Sequence, residues 1–170
     1  MNNNKRSFTL VELLVVMGII GLLVALLFPA IGAARQAANR GKAEAEVKAI
    51  EVAIVSYLRD YGKFPSQTDA KDIDYTGTNY AKLIDILRAV DTTNNPRREV
   101  YLEVSTASLV SNEFKDPWDT NYYVKVDGDF DNKITIPSPL STTLVGRSVA
   151  VWSYGPDGTN KNYFITSWGK

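Results

Sequence analysis

From Leu13 to Ala34 the chain carries no charged side chain. That run is about 22 residues, roughly 33 Å as a helix, which is enough to cross the hydrocarbon core of a bilayer. It fixes the architecture of everything around it. A helix that is apolar on every side must be buried in lipid or among other helices, and it cannot be the amphipathic wall of a small domain. Beyond Ala34 about 135 residues remain, enough for one modest core. At its head sits one carboxylate, Glu12, preceded by Lys5 and Arg6. An ionised group at the edge of hydrocarbon is costly, so it normally has a partner or a function.

Composition removes several classes of function. There is no cysteine, which excludes a disulfide framework and a thiolate metal site. There is no histidine, the commonest general base and metal ligand. The formal net charge is +0, so the total charge gives no attraction to nucleic acid.

Three readings of the N-terminus follow. In the first it is a secretory signal, with Lys5 and Arg6 as its basic region and Ala30-Ile31-Gly32 as small residues before a cut. Against this, the apolar run exceeds the usual core of about 7–15 residues, and Glu12 stands at its start. In the second it is a plain anchor. Basic residues then lie on both flanks (Lys5 and Arg6 before, Arg35, Arg40 and Lys42 after), so orientation is weakly marked, and Glu12 is unexplained. The third reading uses every residue. Lys5-Arg6-Ser7 followed by Phe8-Thr9-Leu10-Val11-Glu12-Leu13-Leu14 resembles the N-terminal motif of type IV prepilins and pseudopilins.

The resemblance implies a leader cut by prepilin peptidase between Ser7 and Phe8, followed by N-methylation of Phe8. Ser7 stands where the family has glycine. It also implies a partner for Glu12. The new amine of Phe8 on a neighbouring subunit can neutralise the carboxylate, so two costly charges become one pair that favours assembly. Pro29 cannot donate to the carbonyl of Ala25 and weakens the ladder there. In the family, the stretch before a proline at this distance can lose helicity on packing. Gly18 and Gly21 allow close helix approach.

Beyond Ala34 apolar residues recur at helical spacing: Ala43, Val47, Ile50, Ile54, Leu58 and Tyr61. One helix over 8–61 is therefore expected, ended by Gly62 and Pro65. A short helix is expected over 80–90, and a strand over 100–104. The pattern predicts a β-hairpin joining 122–126 to 133–136, and a second strand pair from 149–154 and 163–168. Residues 66–79 read as polar and turn-like, and Pro137 and Pro139 as an exposed edge or loop. The fold class is α+β and pilin-like, a long N-terminal helix packed on a small C-terminal antiparallel sheet. The expected divisions are a leader (1–7), a transmembrane and filament-core helix (8–34), its amphipathic continuation (35–61) and a globular domain (62–170).

Two segments could hold a metal. Asp127, Asp129 and Asp131 alternate in a Gly- and Asn-containing turn, and clustered oxygens suit calcium. Their alternative role is a solvated hairpin turn. Asp116-Pro117-Trp118 and Ser153-Tyr154-Gly155-Pro156-Asp157-Gly158 resemble elements of the major pseudopilin of type II secretion systems. There the second element opens a calcium loop, which implies Asp157 as a ligand. The family's second aspartate is missing here, and a plain turn is the alternative. No nucleophile has a base at a recognisable spacing, so no enzyme is expected.

The resemblance as a whole implies a structural subunit of a type II secretion pseudopilus. It would be a single-pass protein of the bacterial inner membrane with its C-terminal domain in the periplasm. Its implied partners are copies of itself, other pseudopilins, prepilin peptidase, an inner-membrane assembly platform and, before assembly, membrane lipid. Nucleic acid is not among them, and calcium is the one cofactor implied. The alternatives are a type IV pilus subunit and a signal-bearing secreted calcium-binding module.

Overall fold

The two kinds of helical pattern in the first 61 residues form one element. The computed structural model describes residues 9–169, and in it α1 spans Leu10–Tyr61, with Pro29 inside an uninterrupted helix. The helix ends where Gly62 takes a φ of 67°, open to glycine, and donates its N–H to the Leu58 carbonyl at 2.8 Å. By internal contacts the chain divides into two units, Met1–Asn39 and Arg40–Lys170. In the first unit every described residue from 9 to 38 is exposed, including Leu26 and Phe28 at 68% and 71%. This is the surface of a helix made for an apolar surrounding, and α1 is long and apolar enough to cross a membrane.

The second unit has its own core. Ala43, Val47, Ile50, Ala53, Ile54 and Tyr57 are buried on one face of α1. Their spacing of three and four residues gives the apolar stripe expected of an amphipathic helix. They pack with Phe64, Tyr75, Tyr80, Leu83, Ile84, Leu87, Tyr122, Val124 and Val151. Leu58 and Tyr61, expected in the stripe, are partly buried against the same core. The second helix, α2, spans Thr78–Leu87. It starts earlier than its periodicity implied, and it stops before Val90, which is half-exposed.

The main sheet has four antiparallel strands in the order β1 (Ile73–Tyr75), β4 (Tyr123–Val126), β7 (Val149–Ser153), β8 (Ile165–Thr166). Two small pairs accompany it, β2 with β3 (Leu109–Val110, Glu113–Phe114) and β5 with β6 (Lys133–Ile136, Thr142–Val145). The β7–β8 pairing follows the expected hairpin, with Trp152 opposite Thr166.

The other expected hairpin is corrected. The segments 123–126 and 133–136 are both strands, but they do not pair with each other. β4 is filled on both sides by β1 and β7. Phe130 and Asn132 take φ values of 59° and 62°, and this turns the chain off the sheet before β5 begins. Residues 100–104 are not a strand either. Leu102 is buried there, and the N–H groups of Tyr101 and Leu102 both donate to the Leu87 carbonyl. The segment thus caps the end of α2 and leaves no strand partner.

Candidate functional site

The N-terminal site is described from Thr9 onward; Ser7 and Phe8 lie outside the described residues. Thr9 immediately precedes α1, and its N–H and hydroxyl both donate to Glu12 Oε2, at 2.9 and 2.8 Å. In return the Glu12 N–H donates to Thr9 Oγ1 at 3.3 Å. This reciprocal Thr-x-x-Glu arrangement is a capping box, which satisfies orphan donors at a helix start. Glu12 therefore has a local partner as well as the intermolecular one that the motif implies. Among the described residues Oε1 accepts no hydrogen bond. A carboxylate near a helix N-terminus also meets the positive end of the helix dipole.

Along the same helix, Gly18 and Gly21 have open space where a side chain would stand. They leave shallow places on the apolar surface where a second helix can approach. Pro29 lies within the exposed apolar stretch.

The acidic site is built from two segments distant in sequence. Asp127 immediately follows β4 and is buried, and its carboxylate accepts from the N–H groups of Asp131 (3.1 Å) and Asn132 (2.9 Å). Asp129 accepts from the Asp131 N–H at 3.2 Å. The third carboxylate is Asp72, just before β1, which the sequence pattern does not single out. One oxygen from each of Asp72, Asp127 and Asp129 lies within 4.8 Å of the others. Gly128 makes this possible, because a β-carbon there would stand 1.8 Å from the Lys71 carbonyl oxygen. Gln67 Nε2 also donates to the Gly128 carbonyl at 2.7 Å. Burial raises the Asp127 carboxyl above its ordinary value, and the facing carboxylates add to the effect. Asp72 is raised by burial too, against the opposing pull of Lys125.

The other two acids do not join the cluster. The Asp131 carboxylate accepts from the Lys133 N–H at 2.8 Å. Asp157 is exposed and accepts from the Thr159 N–H and hydroxyl, the pattern of an Asx turn. Those bonds hold its carboxyl below the ordinary range.

The two short elements around Asp116 and Ser153 meet in the interior. Asp116 Oδ1 accepts from the N–H groups of Trp118 and Thr120, and Oδ2 accepts from the hydroxyls of Thr120 and Ser153. Ser153 Oγ in turn accepts from the Gly155 N–H at 3.0 Å. A β-carbon at Gly155 would come within 2.6 Å of the Tyr163 carbonyl oxygen. This node joins the loop before β4 to the end of β7. Its acceptors are filled, so it is a structural lock and offers no free group for chemistry.

An apolar helix with a prepilin-type start, continued into a small α+β domain with an antiparallel sheet, defines a pilin-like chain. The comparisons agree. Residues 2–28 match the prokaryotic N-terminal methylation motif. The chain is 36% identical to the type IV wide pilus major component PilA4 of Thermus thermophilus over 83 residues, 49% of this chain and 54% of that one. It is 36% identical over 62 residues to the type II secretion system core protein G of Pectobacterium carotovorum, covering 36% of this chain and 40% of the relative. The core protein G of Escherichia coli K12 aligns over 168 residues, 98% of this chain and 93% of that one, at 25% identity. The first two matches thus span about half or less of the relatives they reach. No solved structure matches. The chain carries the prepilin methylation motif and is homologous to core protein G of type II secretion and to a type IV pilin.

Proposed function

We propose that this protein is a structural subunit of a type II secretion pseudopilus. On this reading prepilin peptidase cuts it between Ser7 and Phe8, and Phe8 is then N-methylated. The subunit waits in the inner membrane with residues 62–170 in the periplasm. An assembly platform draws it into a filament of its own copies and other pseudopilins. The carrying observation is that Glu12 heads an apolar helix exposed on all sides. Such a surface needs either lipid or neighbouring helices. Alignment to core protein G over 98% of the chain supports the secretion reading. In a stack, Glu12 Oε1 receives the Phe8 amine of the next subunit, and the pair sets the axial register. Replacing Glu12 with Ala is expected to abolish filaments while the protein still inserts in the membrane. Normal assembly of that variant would refute the pairing.

The second reading is a type IV pilus subunit, favoured by the 36% identity to a wide pilus component. Deletion of the gene in its host separates the two. Loss of protein export with surface fibres intact supports secretion, and loss of surface fibres alone supports the pilus. Neither role includes catalysis by this chain.

Calcium is a further proposal, at Asp72, Asp127 and Asp129. Two ligands about 2.4 Å from one ion stand at most about 4.8 Å apart, so the spacing of these oxygens fits a calcium-sized cation. The residues supply three carboxylate oxygens and the ion would pin β1 to the loop after β4. Asp157 remains a separate proposal with a single carboxylate. A rise in melting temperature with calcium, lost in Asp129→Ala and kept in Asp157→Ala, would support the first location.

A further inference from the structure

The chain contains two Asp-Gly steps, Asp127-Gly128 and Asp157-Gly158. Such a step is chemically reactive. Glycine places no side chain beside its backbone nitrogen, so the nitrogen can reach the preceding carboxyl carbon. The fold treats the two steps in opposite ways.

Asp127-Gly128 is guarded. Asp127 is buried, and both its carboxylate oxygens are held, Oδ1 by the Asp131 N–H at 3.1 Å and Oδ2 by the Asn132 N–H at 2.9 Å. Gly128 stands hard against the Lys71 carbonyl, and its own carbonyl accepts from Gln67. Neither group can move toward the other unless the loop opens.

Asp157-Gly158 lies in the loop between β7 and β8, and both residues are exposed. Oδ1 of Asp157 accepts from the Thr159 N–H at 3.1 Å and from the Thr159 hydroxyl at 2.7 Å. Because the N–H donor stands two residues ahead, the carboxyl is folded over the intervening Gly158 peptide. Among the described residues Oδ2 accepts no hydrogen bond and the Gly158 N–H donates none. Apart from its chain neighbours, nothing crowds Gly158. Its nitrogen therefore faces a carboxyl carbon with one oxygen held by two donors, which favours charge developing there, and the other free to leave.

We infer that Asp157-Gly158 is a site of spontaneous aspartate isomerisation in the folded protein, and that Asp127-Gly128 is not. The Gly158 nitrogen bonds to Cγ of the protonated Asp157 carboxyl. The N–H proton and the Oδ2 hydroxyl leave as one water, which gives a five-membered succinimide. A water then adds to one of the two ring carbonyls. Opening at Cγ restores aspartate. Opening at the Asp157 carbonyl carbon gives isoaspartate, in which the chain runs through the side-chain carbon and the free carboxylate sits on Cα. Atoms balance over the two steps, and no oxidant or cofactor takes part. The Thr159 bonds favour the ionised carboxyl, so the step is slow and its product accumulates with age.

Isoaspartate adds one carbon to the backbone of this loop. The ends of the loop are fixed, by the Ser153–Asp116 bond and the close approach of Gly155 to Tyr163, and by Arg40 on the Asn162 carbonyl at 3.3 Å. The extra length is therefore taken up between them, where the Asx turn and the bond from the Asn160 N–H to the Asp157 carbonyl are lost. The modification does not depend on whether the chain serves secretion or a pilus. It makes the loop a substrate for the class of repair enzyme that methylates isoaspartyl carboxylates.

The test ages the purified full chain in detergent at neutral pH and physiological temperature, then digests it with trypsin. The peptide 148–161 reports on Asp157 and the peptide 126–133 on Asp127. Chromatography and mass spectrometry should split 148–161 into two isomers of equal mass, with a transient species lighter by one water. Its isoaspartyl fraction should exceed that of 126–133 by at least about tenfold. Gly158→Ala, a substitution with open space around it, should lower the rate about tenfold. In denaturant both steps should isomerise at similar rates. Equal isomerisation of the two steps in the folded chain would overturn the assignment. So would an Asp157 that ages in denaturant but not in the folded chain, or a Gly158→Ala variant that ages like wild type.

Discussion

Ser153 donates its hydroxyl hydrogen to Asp116 Oδ2 at 2.7 Å, and both residues are buried. The bond ties the Asp-Pro-Trp turn to the last residue of β7. Replacing Asp116 with Ala strands the donors of Trp118, Thr120 and Ser153, so a loss of about 3 kcal/mol is expected. Ser153→Ala removes one donor to the carboxylate and the acceptor of the Gly155 N–H, so a smaller loss of about 1–2 kcal/mol is expected. Thermal melts of the detergent-solubilised protein measure both. Equal losses would contradict the node.

Gly128 is expected to tolerate no side chain. In Gly128→Ala the new methyl meets the backbone oxygen of Lys71, and backbone cannot rotate away. The cost is expected to exceed about 2 kcal/mol, with loss of protection of the Ile73–Tyr75 amides in hydrogen exchange. Gly158→Ala, where nothing lies nearby, should be near neutral and serves as the control.

Alkaline pH should unfold the domain. Burial pushes the Tyr57 hydroxyl up to about 12, and it raises Tyr75, Tyr80 and Tyr122 further. At Tyr122 the nearby Glu46 carboxylate, which accepts its hydroxyl hydrogen at 2.5 Å, adds to the rise. A folded-state value above the unfolded value of about 10 means that stability is fully present below pH 10 and is lost as pH climbs past it. The melting temperature should therefore fall steeply above pH about 10. Tyrosinate absorbance from these four tyrosines should appear together with unfolding, not ahead of it. Titration of these tyrosines in a still-folded protein would contradict the burial described.

Thr9 and Glu12 separate two roles of one carboxylate. Thr9→Ala removes the hydroxyl of the capping box and leaves the charge. It is expected to fray the first turn of α1 and still permit filaments, whereas Glu12→Gln keeps a capping acceptor and should block them. Quantifying sheared filaments from both variants decides the matter. Filament loss in Thr9→Ala with normal yield from Glu12→Gln would make the cap, not the charge, the purpose of Glu12.

Much of this architecture could be read from residue order. The apolar run, the stripe through Ala43, Val47, Ile50 and Ile54 and the turn between β7 and β8 are local patterns, and local patterns survive into the fold. What was hidden depended on partners remote in sequence. Ile73–Tyr75 is too short and too polar in its surroundings to announce a strand, and it exists because β4 offers an edge. Asp72 is an ordinary surface acid until that pairing brings it beside Asp127 and Asp129. The expected pairing of β4 with β5 failed for the same reason, since alternation marks strands but not their neighbours. The Thr9–Glu12 capping box was missed in the sequence, although a threonine three residues before a glutamate at the head of an apolar run is its signal.

The central claim is that this chain is cut and assembled through its N-terminus. Intact-mass analysis of the protein isolated from its host membrane tests it most directly. A mature chain that begins at Phe8 and carries one added methyl group is expected. A chain that keeps Met1, or one that begins at Ala33, would contradict it.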